Sequence, residues 1–251
     1  MYDEPFAGGD SLIHHLDPRL RLVLAALASI CLALFSRPEA AACGLLFAVL
    51  VAALSAPPLA LLLKRLALVN VFIVFIWLTV PPSMPGETLA SLGPLDFSRE
   101  GLELSLLVTL KANAIILLLI SLVASMNAAS LGQALERLRC PGKLVFLLLF
   151  TYRYMHVVAA QWAKLQTAAR LRSFRMTSSM HSYRSIGNMF GMTFVQSFDR
   201  AARVYEAMLL RGFDGSFHGL AVFRLSAGDI AFGLIFLLLL AGLTFFDLYP
   251  R

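Results

Sequence analysis

The chain has 251 residues, of which 59% are hydrophobic and only 14% are charged, and its formal net charge is +6. An average soluble domain is about 25% charged, so this composition and its long apolar runs exclude an ordinary soluble domain and indicate a membrane protein. The three cysteines and five histidines are not spaced as a metal site or a disulfide framework. The sequence also lacks a glycine-rich phosphate loop and a nucleophile elbow, so we predict no catalytic residues and no metal ligands.

The N-terminal segment is polar and leads into the first apolar run, Leu22–Ser36. Asp17 is suited to cap a helix and Pro18 to begin it. The alkyl stems of Arg19 and Arg21 would extend the short run by snorkelling. Because the preceding residues are acidic and not basic, we interpret the run as a retained membrane span and not as a cleaved signal peptide.

Four more apolar runs predict further membrane spans. They cover Ala40–Ala56, Leu66–Val80, Leu102–Met126 and Ile230–Phe246. Proline pairs close two of them, and a long loop over residues 81–101 precedes the run that contains Lys111. A charge inside a span usually faces a partner or a polar cavity. We therefore consider two alternative partners for Lys111: the carboxylate of Asp229, in an ion pair, and a backbone carbonyl.

The distribution of charge predicts the orientation. Segment 127–225 carries 13 lysines and arginines against four acidic residues, whereas the loop at 81–101 is acidic. The positive-inside rule then places the N-terminus in the cytosol and, after five spans, the C-terminus outside. We predict an all-α integral membrane protein with four spans in residues 1–126, a cytosolic coupling region in 127–225 and a fifth span in 226–251.

The coupling region is predicted to contain one short and two long helices. The short amphipathic helix covers Leu131–Leu138, and the long ones cover Lys143–Ser173 and Tyr183–Gly212, with a turn at Met180–Gly187. Apolar side chains recur at helical spacing along the last helix and are expected to pack between the long helices or against a partner. They are Phe190, Phe194, Phe198, Ala201, Tyr205 and Met208.

Both long helices end in the same short pattern. Leu171-Arg172-Ser173 is followed by Phe174, and Leu210-Arg211-Gly212 is followed by Phe213. An arginine at a helix C-terminus often does no more than interact with the helix dipole. Two matched ends favour a second interpretation, in which each planar guanidinium docks into a groove on a soluble partner. Two such ends indicate two copies of the partner or a pseudo-symmetric dimer.

These ends resemble the two Ala-Arg-Gly signatures in the transmembrane T component of energy-coupling factor transporters, most closely the cobalt-type CbiQ branch. Leucine replaces the alanine in both, and serine replaces the first glycine. Other blocks resemble the same family over most of the chain: the N-terminal motif with Asp17, Pro18 and Arg19, the pair Arg153-Tyr154, and the block Glu206–Gly215 that is typical of the cobalt and nickel branch.

The resemblance implies a scaffold in a bacterial-type inner membrane, without enzymatic activity. In that family the T component joins a substrate-capture membrane subunit, the S component, to two cytosolic ABC ATPases, and a small accessory membrane subunit is a further possible partner. The ATPases bind ATP and Mg, so this chain is expected to hold no cofactor. Cobalt is the implied substrate, with nickel or a vitamin as alternatives. The implied coupling-helix contacts are Arg153, Tyr154, Phe190, Phe194, Phe198 and Met208.

Two other classes of function are weaker alternatives. A membrane-bound enzyme would need paired carboxylates or a metal-ligand cluster on adjacent spans, and the sequence offers neither. A protein that binds anionic lipid or nucleic acid through its basic segment would need its charges grouped together. Here they are spread among apolar stripes, which suits helix packing better, so we predict contact with membrane lipid but no nucleic-acid partner.

Overall fold

The computed structural model describes residues 6, 9, 11–85, 88–92, 95–213 and 226–249. Helices dominate this part of the chain, which confirms the predicted all-α fold. Its α-helices are α1 (Leu12–His15), α2 (Pro18–Leu34), α3 (Pro38–Ser55), α4 (Leu59–Ser83), α5 (Arg99–Leu119), α6 (Ala128–Arg137), α7 (Gly142–Leu171), α8 (Met180–Leu209) and α9 (Ala227–Leu248). A five-residue π-helix, Ile120–Ala124, continues α5. Two short antiparallel strands, β1 (Thr88–Leu92) and β2 (Leu95–Ser98), precede α5.

Within the described ranges, five helices are long and apolar enough to cross a membrane: α3, α4, α5 with its π-helix, α7 and α9. Four of them coincide with predicted spans. The predicted first span is α2, whose 17 residues make about 26 Å of helix, slightly less than the hydrocarbon core of a bilayer at about 30 Å. The fifth is α7, because its first half is strongly apolar, and its cytosolic location stays a prediction.

The start of α2 confirms the prediction from the sequence, and α9 begins with a capping arrangement of its own. Asp17 caps α2, since its Oδ1 accepts a hydrogen bond from the backbone N–H of Arg19 at 2.9 Å, and Pro18 is the first helical residue. Ser226 and Asp229 form a reciprocal capping box at the start of α9. Both arrangements supply acceptors for N–H groups that a helix start leaves unpaired.

Helix α4 differs from the prediction at both ends. It begins at Leu59, before the predicted run Leu66–Val80, and so includes Lys64 and Arg65. It also continues through Pro81-Pro82, which lie in its last turn. Each proline lacks the N–H group that would donate to the carbonyl four residues earlier, so two intrahelical hydrogen bonds are lost there. The hydroxyl of Ser98 donates to the carbonyl of Pro81 at 3.0 Å and joins this end of α4 to the start of α5.

The chain divides into two compact units. The coupling unit comprises the described residues between Leu135 and Ala221, and the membrane unit comprises those between Glu4 and Ala134 and between Val222 and Arg251. The predicted region boundaries at 126 and 225 stay predictions.

The core of the membrane unit forms where α2 and α3 each pack against α5 and α9. Buried small residues recur every fourth position along α3 at Ala40, Gly44, Ala48 and Ala52. This spacing lets helix backbones approach closely, as is common between membrane helices. A Cβ at Gly44 would lie 2.5 Å from Cδ2 of Leu32 on α2, so a larger residue would have to displace the buried Leu32 side chain.

Two carboxylates on α9 fasten the two ends of α2. Asp229, near the start of α9, accepts a hydrogen bond from the backbone N–H of Asp17 at 3.3 Å. Asp247, near its end, accepts from the backbone N–H groups of Ser36 and Arg37, each at 3.1 Å. The starts of α2 and α9 therefore lie next to each other, as do their ends, so the two helices are parallel.

Arg21 corrects one expectation from the sequence. Its side chain does not snorkel towards water but is buried, with 2% of its surface exposed. Its Nε donates to the carbonyl of Leu122 at 3.0 Å, and an NH2 group donates to the hydroxyl of Ser125. The guanidinium thus satisfies acceptors at the π-helix, where the regular hydrogen-bond pattern of α5 is interrupted.

Lys111 contacts a backbone carbonyl, one of the two alternatives that the sequence left open. Its Nζ lies 2.9 Å from the carbonyl oxygen of Ala33. That carbonyl belongs to the last turn of α2, where a cation is favourable because carbonyls lack intrahelical partners.

Candidate functional site

The coupling unit is built on an antiparallel pair of helices, α7 and α8. Near the start of α7, the ring of Phe146 stacks with Phe213, just beyond α8, with centroids 6.1 Å apart. Farther along, Trp162 contacts Phe190 at 4.5 Å between centroids, and the amides of Gln161 and Gln196 are hydrogen-bonded. Each helix has 30 residues and is about 45 Å long.

The turn between these helices lies earlier than predicted. Helix α7 ends at Leu171 and α8 begins at Met180, so the whole of the predicted turn, Met180–Gly187, is helical. The hydroxyl of Ser179 accepts the backbone N–H of Ser182 and caps α8. Serine is a common N-cap residue, so the helix start could have been predicted from Ser179.

The first arginine lies in a sharply closed helix end. Backbone N–H groups of Arg172 and Phe174 both donate to the carbonyl of Ala169, at 3.0 and 3.1 Å, and that of Ser173 donates to Arg170 at 3.0 Å. Ser173 adopts the left-handed conformation with φ of +60°. This is the Schellman arrangement, which satisfies carbonyls left over at a helix end.

The second arginine lies in the same arrangement. Backbone N–H groups of Arg211 and Phe213 both donate to the carbonyl of Met208, at 3.0 and 3.1 Å, and that of Gly212 donates to Leu209 at 3.0 Å. Gly212 has a φ of +81°. The residue after each arginine must therefore be left-handed, which glycine tolerates and serine tolerates less well.

We call these two segments, residues 169–174 and 208–213, the first and second arginine turns. Both arginines and Ser173 and Gly212 are exposed. The leucines before the arginines are also exposed, Leu171 by 83% and Leu210 by 90%. Because α7 and α8 are antiparallel, the turns lie at opposite ends of the pair, about 45 Å apart.

The other predicted contact residues fall into two groups. Tyr154 and Met208 are half-buried, and Tyr154 packs against Phe150 at 5.1 Å between ring centroids. Phe190 contacts Trp162, but Phe194 and Phe198 are 74% and 77% exposed and do not pack between the long helices.

The face of α8 towards α7 carries the half-buried residues Met189, Thr193, Gln196, Ser197, Arg200 and Val204. Arg153 is exposed.

The N-terminal motif belongs to the membrane unit. Asp17 is buried, and Nε of Arg19 lies 3.9 Å from its Oδ1. His14 lies 2.7 Å from the hydroxyl of Ser11 through Nδ1 and 3.0 Å from the carbonyl of Phe6 through Nε2. Among the described residues, no group of three or more histidines, cysteines or acidic residues is arranged to hold a metal ion.

A family comparison identifies the chain. The family described as "Cobalt transport protein", CbiQ, matches residues 9–219. The chain belongs to this family. This family is a membrane component of transporters and not a family of enzymes, and the long apolar helices of the chain indicate a multi-pass membrane protein.

Individual relatives are more distant and carry different names. The chain is 32% identical to the nickel permease LarQ of Lactiplantibacillus plantarum over 33% of its own length. It is 30% identical to the energy-coupling factor transporter transmembrane protein EcfT of Heliobacterium modesticaldum over 61%, and 27% identical to the cobalt transport protein CbiQ of Rhodobacter capsulatus over 59%. These matches span 30%, 58% and 60% of the relatives' own lengths, respectively.

Proposed function

We propose that this chain is the T component of an energy-coupling factor importer, in which it joins two cytosolic ATPases to a substrate-capture S component. The observation that carries the proposal is the pair of arginine turns. Two helix ends 39 residues apart in sequence (Arg172 and Arg211) share one hydrogen-bond pattern and expose one Leu-Arg pair each. An interaction of each arginine with its helix dipole would not require the same backbone hydrogen-bond pattern at both ends, nor the exposed leucines.

The spacing of the turns supports docking to two ATPase subunits. A separation of about 45 Å is too large for one groove and fits one groove on each subunit of a dimer. Because each turn ends a long helix, closure of the dimer on ATP would displace α7 and α8. The ATPases supply the ATP and Mg sites, and this chain contributes contacts only.

The exposed aromatic residues of α8 support a further interface. Phe194, Phe198 and Tyr205 lie at helical spacing and are 74%, 77% and 57% exposed. Apolar stripes of this kind mark partner sites. We assign them to the S component, which would sense movement of α8 directly. Phe198→Ser would then weaken retention of the S component while ATPase binding persists; equal loss of both subunits would contradict this assignment.

The substrate proposed for the complex is cobalt ion. The family description supports cobalt, whereas the name of LarQ supports nickel as second candidate. Uptake of radioactive Co²⁺ and Ni²⁺ by cells that express the complete complex distinguishes them. Faster uptake of Co²⁺ would support the proposal. Faster uptake of Ni²⁺ would make nickel the proposed substrate and would leave the proposed role of the chain unchanged.

The proposed location is a bacterial-type inner membrane, with the N-terminus and the coupling unit in the cytosol and the C-terminus outside. The basic segment 127–225 supports this orientation. Cysteine labelling of intact cells tests it: a cysteine introduced after Arg251 should react with an impermeant reagent, and one introduced at Leu171 should not. The reverse pattern would contradict the orientation.

The role itself is tested by Arg172→Ala/Arg211→Ala in the complete complex. We expect the variant to insert and to retain the S component, but to lose the ATPases and metal uptake. Lys164→Ala/Arg203→Ala removes two exposed charges from the same helices and serves as the control. Normal uptake by the double turn variant would refute the proposed function.

A further inference from the structure

A largely apolar cavity of about 260 Å³ lies between α7 and α8, within the coupling unit. Its lining comes from the first half of α7 and the second half of α8, and consists of Phe146, Leu147, Phe150, Thr151, Tyr154, Val158, Ser197, Arg200, Ala201 and Val204. An apolar cavity of about 150 Å³ is already large enough to bind benzene. This cavity therefore has room for part of an acyl chain.

Among the lining residues that the structure describes, Arg200 is the one charged residue, and its side chain is half-buried. Its Nε is shielded from solvent and has no hydrogen-bond partner among the described residues. Helix α7 contains no acidic residue, and the acidic residues of α8, Asp199 and Glu206, are exposed and make no described ion pair with Arg200. A shielded N–H group without an acceptor is costly, so the cavity favours a ligand that brings an anionic oxygen.

The apolar and the charged parts of the cavity lie towards opposite ends. Phe146, near the start of α7, stacks with Phe213, and farther along α7 the amide of Gln161 is bonded to that of Gln196. In this antiparallel register Arg200, one turn from Gln196, lies towards the end of the cavity away from Phe146. The cavity thus offers apolar contact at one end and a cation at the other, which is complementary to an anionic amphiphile.

The composition of α7 indicates where such a ligand comes from. Residues 144–150 are all apolar, and the helix is apolar enough to cross a membrane. After Lys143 the next charged residue is Arg153, so α7 changes from apolar to charged along the length of the cavity. A phospholipid presents its acyl chain and its phosphate group in the same order at a membrane surface.

We infer that this cavity binds one acyl chain of an anionic phospholipid, whose phosphate accepts a hydrogen bond from Arg200. This lipid site is separate from the proposed ATPase contacts, which use the ends of α7 and α8 and not the space between them. A bound chain would fill a gap in the packing of the helix pair and stabilise it. The stability of the coupling unit then depends on the anionic lipid content of the membrane.

The test uses photoactivatable lipids and the full chain in nanodiscs of phosphatidylcholine. Phosphatidylglycerol and phosphatidylcholine that carry the same diazirine-labelled acyl chain are added separately, and mass spectrometry locates the crosslinks. Phosphatidylglycerol should label the cavity lining about fivefold more than phosphatidylcholine does. Exposed residues of α4, such as Val71 and Phe72, report on bulk lipid and should be labelled equally by both.

Two variants separate the charge from the apolar space. Arg200→Gln should reduce labelling of the lining by phosphatidylglycerol to the level of phosphatidylcholine, whereas Arg203→Gln, at an exposed position of the same helix, should not. Val158→Phe fills the cavity and should lower labelling of the lining by both lipids severalfold. Val195→Phe makes the same exchange at an exposed position outside the lining and should leave labelling unchanged.

Three results would overturn the lipid site. The first is equal labelling of the wild-type lining by both lipids, and the second is an Arg200→Gln variant that keeps the wild-type preference. The third is a lining that neither lipid labels; loss of the S component from the Val158→Phe complex would then make the cavity a site for a partner subunit. Each of these results leaves the proposed ATPase contacts unaffected, because Arg172→Ala/Arg211→Ala tests those separately.

Discussion

The membrane unit and the coupling unit differ in how much of their side-chain surface they bury. The membrane unit contains a continuous core from α2, α3, α5 and α9, with fully buried residues such as Leu24, Leu32 and Leu118. In the coupling unit, Val145 is the buried residue of α7 and Ser182 that of α8. A largely apolar cavity of about 260 Å³ also lies between α7 and α8.

The difference indicates where each unit finds its stability. The membrane unit fixes its geometry through internal packing and hydrogen bonds. The coupling unit is a thin helix pair whose apolar surface is largely exposed, so its stability and its position depend on the surfaces that it contacts. Substitutions in the first unit should therefore reduce stability, and those in the second should mainly reduce assembly.

The largest effect on stability is expected for Arg21→Ala. The change removes the donors to Leu122 and Ser125 and leaves a cavity beside the π-helix. We expect a loss of about 3 kcal/mol in the free energy of unfolding. Denaturant unfolding in detergent measures it. Arg99→Ala is the control, because Arg99 pairs with Glu103 on the exposed surface and should change stability by less than about 1 kcal/mol. Equal losses would contradict the buried role.

Two glycine substitutions should have effects of opposite sign in the two units. A Cβ at Gly101 would lie 2.6 Å from Cα of Pro81, so Gly101→Ala should destabilise the α4–α5 contact by about 2 kcal/mol. At Gly187, inside α8, nothing lies within 4 Å. Gly187→Ala should stabilise α8 by about 0.5–1 kcal/mol. Amide hydrogen exchange of α5 and α8 measures both, and a loss of protection in α8 would contradict the second expectation.

The smallest effects are expected from exchanging the left-handed residues of the arginine turns. Ser173→Gly should relieve, and Gly212→Ser should introduce, a backbone cost of about 1 kcal/mol. Both residues are left-handed in the unbound chain, so this cost changes the stability of each turn. Amide protection at the end of α7 should therefore rise about fivefold in Ser173→Gly, and protection at the end of α8 should fall about fivefold in Gly212→Ser. Hydrogen exchange on the two variants checks the signs, and a change in the same direction would show that the serine hydroxyl matters more than the backbone.

Local sequence patterns predicted the helices, the caps of α2 and the paired helix ends, since these depend on neighbouring residues. They did not predict that α4 continues through Pro81-Pro82, because a contact with Ser98, 17 residues away, supports that end. The burial of Arg21 depends on partners 101 and 104 residues away. The orientation of Phe194 and Phe198 was left open, because periodicity identifies an apolar face but not which side of α8 contacts α7.

The central claim is that both arginine turns bind ATPase subunits, and the dissociation constant of the purified ATPases for nanodisc-embedded full chain tests it most directly. Arg172→Ala and Arg211→Ala should each weaken binding about tenfold, and the double variant about a hundredfold, since the turns are too far apart to interact. An affinity of the double variant within about twofold of the wild type would contradict the claim.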